Sequence, residues 1–451
     1  MAAALQVPAG NVSTDIGGSY GPGWVGIVVG LIKPMIFQGR ISELTITERR
    51  RACVRVAVFA SLLGAASTAF AQSDAPEDAH VFWESLALVP TLQLADVGWD
   101  NNVLRLAKAS NPPDDLTATF SPDVQAWLRL PKVKMRGRSD VDFVYFKEFS
   151  KFRSVDTNNA GQIELLLGRL TPHAEGAWIN AQHRNFEIDI PVRRLDSVWG
   201  GGLDVRVSGK TTLGILARRS RVDYKGDTVY LDSDLARYLD AVANAEGLRF
   251  RFAATPFTTV GVDVEQYRNR LSRAPERNSD GNLVAATFEF DARAQLSGSA
   301  KVGVTRRTFV DGASPPFQGV VSHADLTYIL LGRTRFALDL QRDLSLSFRA
   351  DERDYLETSV RLSVTHRIAG NWDVGGSFGR FRLGYGLGES PSNGTQGADN
   401  ETGVGYSLDL GYQVGRSRLE VQAARQTRSS EFSQLRDYEQ TRIVATVTYR
   451  F

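Results

Sequence analysis

The fold is decided by the last ten residues of the chain, Arg442-Ile-Val-Ala-Thr-Val-Thr-Tyr-Arg-Phe451. Every second residue from Ile443 to Phe451 is apolar, and Thr or Arg occupies most of the positions between them. Side chains of a β-strand alternate between its two faces, so a period of two predicts a strand with one apolar and one polar face.

The same alternation recurs along much of the chain. Apolar residues occupy every second position at 248–252, 260–264, 360–364 and 406–412. The intervening positions carry charges in the middle of the predicted strands, as at 249, 263, 361 and 409. Many independent strands of this kind predict a sheet with one apolar and one charged face.

Three features favour a membrane barrel over a soluble β-sandwich, which also alternates. The predicted strands approach the 9 to 11 residues that a tilted membrane strand needs, whereas soluble strands average about five or six. Short turns alternate with longer polar links, and a sandwich core could not bury the charges unpaired. The sequence therefore predicts an all-β fold, a transmembrane antiparallel up-and-down β-barrel of about 18 strands, with 16 as the alternative.

The predicted strands follow from the alternation and from the turn residues between them. They are 86–97, 122–130, 139–149, 160–170, 175–190, 199–208, 211–224, 246–254, 258–270, 281–290, 296–308, 318–331, 333–349, 354–368, 371–386, 402–414, 417–428 and 438–451. An even number places both termini on the periplasmic rim.

One long link, 225–245, predicts a short helix in an extracellular loop. Leu231, Leu235, Leu239 and Val242 recur at helical spacing behind Asp and Ser residues that can cap a helix. The helix could cover the lumen, but packing on the barrel rim is the favoured interpretation.

Aromatic residues near the predicted strand ends or on the apolar faces are typical of interfacial girdles. They are Trp178, Trp199, Tyr328, Tyr355, Trp372, Tyr406, Tyr412, Tyr449 and Phe451.

The beginning of the chain predicts export. The basic residues 49–51 and Arg55 precede the apolar run 56–66, and Ala69, Ala71 and Gln72 fit a cleavage site. A run of about 11 residues is too short to span a bilayer. We predict residues 1–48 to be an over-extended, disordered gene start, 49–71 a signal peptide, 72–85 a periplasmic tail and 86–451 the barrel, with Met35 as a candidate true start.

The composition excludes several classes of protein. The chain has 53 Lys and Arg against 51 Asp and Glu, and a single Cys, Cys53. The near balance argues against a nucleic-acid-binding protein, which needs a basic excess. One Cys excludes a disulfide framework and a thiolate metal cluster. Because Cys53 lies in the predicted signal peptide, the mature chain would contain no thiol, which suits an oxidising compartment.

Several motifs together resemble a known family. The terminal Tyr449 and Phe451 resemble the barrel-assembly signal of outer-membrane barrels. In order along the predicted mature chain, the motifs that resemble the putative β-barrel porin 2 family are Pro90, Asp100-Asn-Asn-Val103, Phe186-Glu-Ile-Asp189, Gly247-Leu-Arg-Phe-Arg-Phe252, Thr255-Pro-Phe-Thr-Thr-Val260, Pro275-Glu-Arg-Asn-Ser-Asp280, Arg333-Thr-Arg-Phe336 and Arg342-Asp343. The resemblance implies an outer-membrane barrel whose relatives are often associated with exopolysaccharide export, and it supplies no catalytic residues.

No local pattern indicates catalysis. The five His residues are scattered without metal-ligand spacing, and no Gly-x-Ser-x-Gly elbow occurs. We expect no enzymatic activity, no metal and no cofactor, although a site assembled across strands would leave no local mark.

Charged residues on the polar faces are predicted to line the lumen, either as a solvated wall of cross-strand ion pairs or as part of a solute path. They are Asp204, Arg206, Arg249, Arg251, Asp263, Glu265, Lys301, Arg307, Asp339, Glu357, Arg361, Asp409, Glu420 and Arg442.

The expected function is a pore for polar solutes, with the outer-membrane step of exopolysaccharide export as the leading version. A general diffusion porin is the alternative, and a barrel enzyme or a structural anchor is less favoured. The expected partners are outer-membrane lipid and lipopolysaccharide, the barrel-assembly machinery and polysaccharide-export proteins, with no nucleic acid.

Overall fold

A computed structural model describes residues 80–83, 85–107, 110–226, 228–312, 315–387, 400–431 and 433–451. The predicted gene start, signal peptide and cleavage site at Ala69, Ala71 and Gln72 lie outside these residues. Within the described ranges, no helix combines the length and the apolar character needed to cross a bilayer.

Eighteen antiparallel strands close into one barrel, as the sequence predicts. They are β1 (Leu86–Asp100), β2 (Asp115–Arg129), β3 (Val133–Phe146), β4 (Ser154–Leu165), β5 (Leu170–His183), β6 (Val192–Arg206), β7 (Thr211–Tyr224), β8 (Ala241–Thr255), β9 (Thr258–Arg270), β10 (Ser279–Phe290), β11 (Leu296–Phe309), β12 (Phe317–Leu330), β13 (Thr334–Leu346), β14 (Asp354–Ala369), β15 (Trp372–Gly384), β16 (Asn400–Val414), β17 (Ser417–Ser430) and β18 (Tyr438–Arg450). Strand β1 pairs with both β2 and β18, which closes the barrel.

Connection lengths differ between the two rims. The short-turn rim is formed by 130–132, 166–169, 207–210, 256–257, 291–295, 331–333, 370–371 and 415–416. The long-loop rim is formed by 101–114, 147–153, 184–191, 225–240, 271–278, 310–316, 347–353, 385–399 and 431–437. Gly370 and Gly415 open two-residue turns with φ of 55° and 53°, a conformation that other residues rarely adopt.

The two faces of the sheet are inverted relative to a soluble protein. On β16, Leu408 is 70% exposed whereas its neighbour Asp409 is 4% exposed. The other strands repeat this contrast, with apolar side chains outside and polar side chains inside. Only a lipid environment satisfies an apolar outer face of this extent.

This inversion predicts the effect of a charge on the outer face. Replacing Leu408, in the middle of β16, with Arg should lower the free energy of unfolding by about 2–4 kcal/mol in lipid vesicles. Urea unfolding of the refolded barrel measures this. Leu435, exposed in the loop 431–437, is the matched control, and its replacement by Arg should change stability by less than about 0.5 kcal/mol. Equal effects of the two substitutions would contradict the assignment of the outer face.

The strand bounds differ from the prediction mainly in the N-terminal third. Strand β2 begins at Asp115 rather than at 122, because Pro122 lies inside it, where the sequence pattern places a strand start. The predicted strand 175–190 corresponds to β5, which ends at His183, and residues 184–191 form a connection instead. A short strand, His80–Trp83, pairs with the beginning of β1 inside the predicted tail.

The predicted helix is present as α1 (Leu235–Leu239), and the Asp234 side chain accepts a hydrogen bond from the Arg237 backbone N–H. Leu235 and Leu239 are buried in an apolar cluster with Phe348 of the loop after β13. The helix is thus part of the packed long-loop mouth. One predicted girdle residue, Tyr355, is wrong, because it is fully buried on the inner face beside Tyr385.

Candidate functional site

The connection between β5 and β6, residues 184–191, is called here the crossing segment. Connections on a barrel rim normally meet solvent, yet Glu187 and Ile188 are 0% and 1% exposed and Phe186 is 5% exposed. Asn185 and Asp189 are also buried. A rim connection buried to this degree must fold into the barrel.

The crossing segment reaches the opposite wall. The ring of Phe186 stacks on that of Phe381 in β15, with centroids 4.1 Å apart. In an 18-stranded closed sheet, β15 is nine strands from β6 in either direction. The segment therefore bridges the full width of the long-loop mouth.

Two carboxylates anchor the segment. Glu187 accepts hydrogen bonds from the Ser347 hydroxyl at 2.5 Å and from the Phe348 backbone N–H at 3.1 Å. Asp189 accepts a hydrogen bond from the Tyr230 hydroxyl at 3.0 Å. The segment is thereby tied to the loop after β13 and to the loop that carries α1.

Two buried arginines complete the anchor. Arg428 of β17 forms an ion pair with Asp189 and donates to the Phe186 carbonyl at 2.6 Å. Arg436, from the loop 431–437, donates to the Glu187 carbonyl at 2.6 Å. Both arginines also pair with Glu401 of β16, at 2.8 Å in the case of Arg436.

The electrostatics of this cluster depend on complete pairing. Glu401 is 0% exposed, and the side chains of Arg428 and Arg436 are 1% and 2% exposed. Such desolvated charges are tolerated only when their partners and hydrogen bonds are present, so loss of one partner is strongly destabilising. Burial raises the pKa of Glu187 to about 7, outweighing the hydrogen bond from Ser347 and the nearby charge of Arg436.

The structure places nine of the 14 predicted lumen residues in buried positions on the inner face. They are Arg251, Asp263, Glu265, Lys301, Arg307, Glu357, Asp409, Glu420 and Arg442. Partly exposed positions on the same face hold Asp204, Arg249, Asp339 and Arg361. Arg206 is exposed where β6 ends at the short-turn rim, because the strand wall stops there.

Four of these residues meet in one ion-pair network across β8 to β11. Lys301 contacts Asp263 at 3.2 Å and Glu265 at 2.8 Å. Arg251 contacts Asp263 at 2.6 Å and also Glu289 at 2.9 Å. The other predicted residues lie elsewhere around the wall, so their charges form a mixed lining rather than one site.

The anchoring residues of the crossing segment were missed from the sequence. Phe186, Ile188 and Ile190 alternate with Glu187 and Asp189, which is the pattern of a strand. One available signal was the position of Arg436 in a long polar link, where an isolated Arg has no obvious partner. The terminal Tyr449 and Phe451 are exposed on the outer face and pack edge to face at 4.9 Å.

Comparison with known proteins follows the geometry. Residues 240–451 match the family model described as putative beta-barrel porin 2. The resemblance to that porin family is confirmed. The match includes β8 to β18, whereas the motifs quoted before residue 240 lie outside it. The chain is accordingly an outer-membrane β-barrel porin.

Solved structures similar to this chain include three porins. OpdK from Pseudomonas aeruginosa is 13% identical, with 82% of this chain and 100% of that chain covered at a TM-score of 0.44. OccK2 (OpdF) from Pseudomonas aeruginosa is 12% identical, with 81% and 98% covered at 0.45. OccAB4 from Acinetobacter baumannii is 11% identical, with 84% and 100% covered at 0.43. No protein of curated function matches the sequence.

Proposed function

We propose that this porin conducts small polar solutes across the outer membrane and that the crossing segment sets the width of the path. The observation that carries the proposal is the contact between Phe186 and Phe381, which joins opposite walls of the barrel. A solute entering from the long-loop rim must pass beside this bridge.

The inner wall below the bridge suits polar solutes. Asp325 is exposed on the inner face of β12, and its strand partner Asp339 is partly exposed. Arg361, the partner of Asp339 on β14, is also partly exposed. Water reaches both signs of charge here, as a conducting wall of mixed charge requires.

The crossing segment favours small solutes over polysaccharide export. Its side chains and carbonyls bind β15, β17 and the loops after β7, β13 and β17 at once. A polymer chain would require all these contacts to break together, whereas a small solute needs only the space beside them. The geometry therefore supports a diffusion porin with a narrowed mouth.

Planar-bilayer recording tests the proposal. The purified barrel should insert in steps of low, uniform conductance, and small polyethylene glycols should reduce the current whereas large ones should not enter. A protein that gives no current at any voltage would contradict a pore. Passage of long polysaccharide through the wild-type barrel would contradict the narrowed mouth and restore export.

A further inference from the structure

The outer face of the barrel carries a band of arginines close to the long-loop rim. They lie on alternate strands, all of which run toward that rim. The arginine band consists of Arg219 and Arg221 on β7, Arg268 and Arg270 on β9, Arg306 on β11, Arg342 on β13, Arg380 and Arg382 on β15, and Arg425 on β17.

These side chains face outward. Arg306 is exposed, whereas its neighbours Thr305 and Arg307 are 4% and 0% exposed on the inner face. Arg219 is likewise exposed between the buried residues Arg218 and Ser220. Alternation in a strand leaves only the lipid side for them.

The band lies at one level. Each of its arginines is between two and five residues from the long-loop end of its strand. Below it, toward the short-turn rim, the outer face is apolar, as at Ile215, Val304 and Leu408. The band therefore marks the upper edge of the membrane-facing zone, where the headgroups of the outer leaflet lie.

The intervening strands add uncharged polar groups. Asn244 of β8 is the register partner of both Arg219 and Arg268. The corresponding register partners on β10, β12, β14 and β16 are Asn282, Gln318, Thr358 and Thr402. Arginines alternate with hydrogen-bonding side chains around this part of the barrel.

The band has an excess of positive charge. Its nine arginines face four outward carboxylates, Asp223, Glu246, Asp280 and Glu439. Three carboxylates pair with arginines of the band, Arg221 at 2.7 Å, Arg270 at 2.7 Å and Arg425 at 3.0 Å. In the described part of the chain, Arg219, Arg268, Arg306 and Arg380 have no carboxylate partner.

The opposite edge of the outer face differs. On the described strands β7 to β18, no Arg or Lys faces outward within five residues of the short-turn end. Aromatic residues occupy that edge, including Trp372 and Tyr412, whose rings lie 4.5 Å apart. The charge asymmetry therefore distinguishes the two leaflets.

We infer that the arginine band binds the phosphate groups of lipopolysaccharide in the outer leaflet. A guanidinium binds phosphate through two parallel hydrogen bonds and is less strongly hydrated than an ammonium, which suits a site at the edge of lipid. The four arginines without a carboxylate partner are the ones available for this contact. The inference does not depend on what the pore conducts.

Binding of fluorescent lipopolysaccharide to the folded barrel in detergent tests the inference. A variant with Arg219→Gln, Arg268→Gln, Arg306→Gln and Arg380→Gln should bind on the order of a hundredfold more weakly, since each arginine near an anionic headgroup contributes appreciably to affinity. A variant with Arg221→Gln, Arg270→Gln and Arg425→Gln, which removes only paired arginines, should lose much less. Equal losses would indicate a general charge effect and overturn the assignment.

The ligand supplies an independent arm. Lipopolysaccharide with its lipid phosphates removed should bind the wild-type barrel as weakly as intact lipopolysaccharide binds the four-arginine variant. Because this arm uses the wild-type protein, it remains decisive if the variant does not fold, which heat-dependent gel mobility reveals. Undiminished binding of the dephosphorylated ligand would overturn the role of phosphate.

Discussion

Replacing Arg428 with Ala is expected to raise the single-channel conductance of the porin several-fold. Arg428 is buried and binds Asp189, Glu401 and the Phe186 carbonyl, so its removal leaves two buried carboxylates without their main partner. Breaking a buried pair in this way costs about 3–5 kcal/mol. The crossing segment can recover that free energy by leaving the mouth, where its carboxylates regain water.

The control for this substitution lies on the same strand. Arg425 faces outward and pairs with the exposed Glu439 at 3.0 Å, a contact worth about 0–1 kcal/mol. Arg425→Ala should leave the conductance unchanged in the same planar-bilayer recording. Unchanged conductance in both folded variants would show that the crossing segment does not narrow the path.

Lowering the pH from 8 to 5 is expected to reduce the open-state current. The pKa of Glu187 is raised by burial from 4.5 to about 7 when the segment is docked. Between these two values the docked segment binds more protons than the released one, so docking is stabilised as pH falls through 7 and weakened as pH rises. Arg436, which favours the ionised form, and Glu401, which opposes it, are the charged groups that contribute most to this balance after burial.

The Glu187→Gln variant separates this carboxyl from other titrating groups. Gln resembles the protonated form and can still accept a hydrogen bond from Ser347, so the variant should show a low current at both pH values. Current recorded at pH 5, 6, 7 and 8 for both proteins provides the measurement. A wild-type current that rises with acidification, or a variant with the wild-type pH profile, would contradict the assignment to Glu187.

The barrel could be predicted from the sequence because its determinants are local. Alternation of apolar and polar residues specifies each strand without knowledge of its neighbours, and short Gly-containing turns such as 370–371 separate them. Strands with clean alternation, such as β9 and β16, lie within two residues of their predicted bounds. Where Pro122 interrupts the pattern, the prediction places the strand start too late.

The crossing segment could not be predicted because its determinants are distant. Glu187 and Ser347 are 160 residues apart in the chain, and Phe186 and Arg428 are 242 apart. The alternating residues 186–190 satisfy a strand pattern equally well, and only the closed barrel reveals that they lie inside the mouth. Predicted inner-face charges such as Asp263 and Lys301 were accessible to sequence reasoning, whereas their assembly into one network was not.

A reversible cross-link between opposite walls tests the central claim most directly. The sequence has one Cys, Cys53, so a Cys53→Ser background allows a single disulfide to be placed through Phe186→Cys and Phe381→Cys, whose rings now stack at 4.1 Å. Under oxidising conditions the channel should stay at its low conductance and lose its response to pH, and a reductant added to the bilayer chamber should restore both. A disulfide that fails to form in the folded barrel, or one that forms without changing the current or its pH response, would contradict a mouth controlled by the crossing segment.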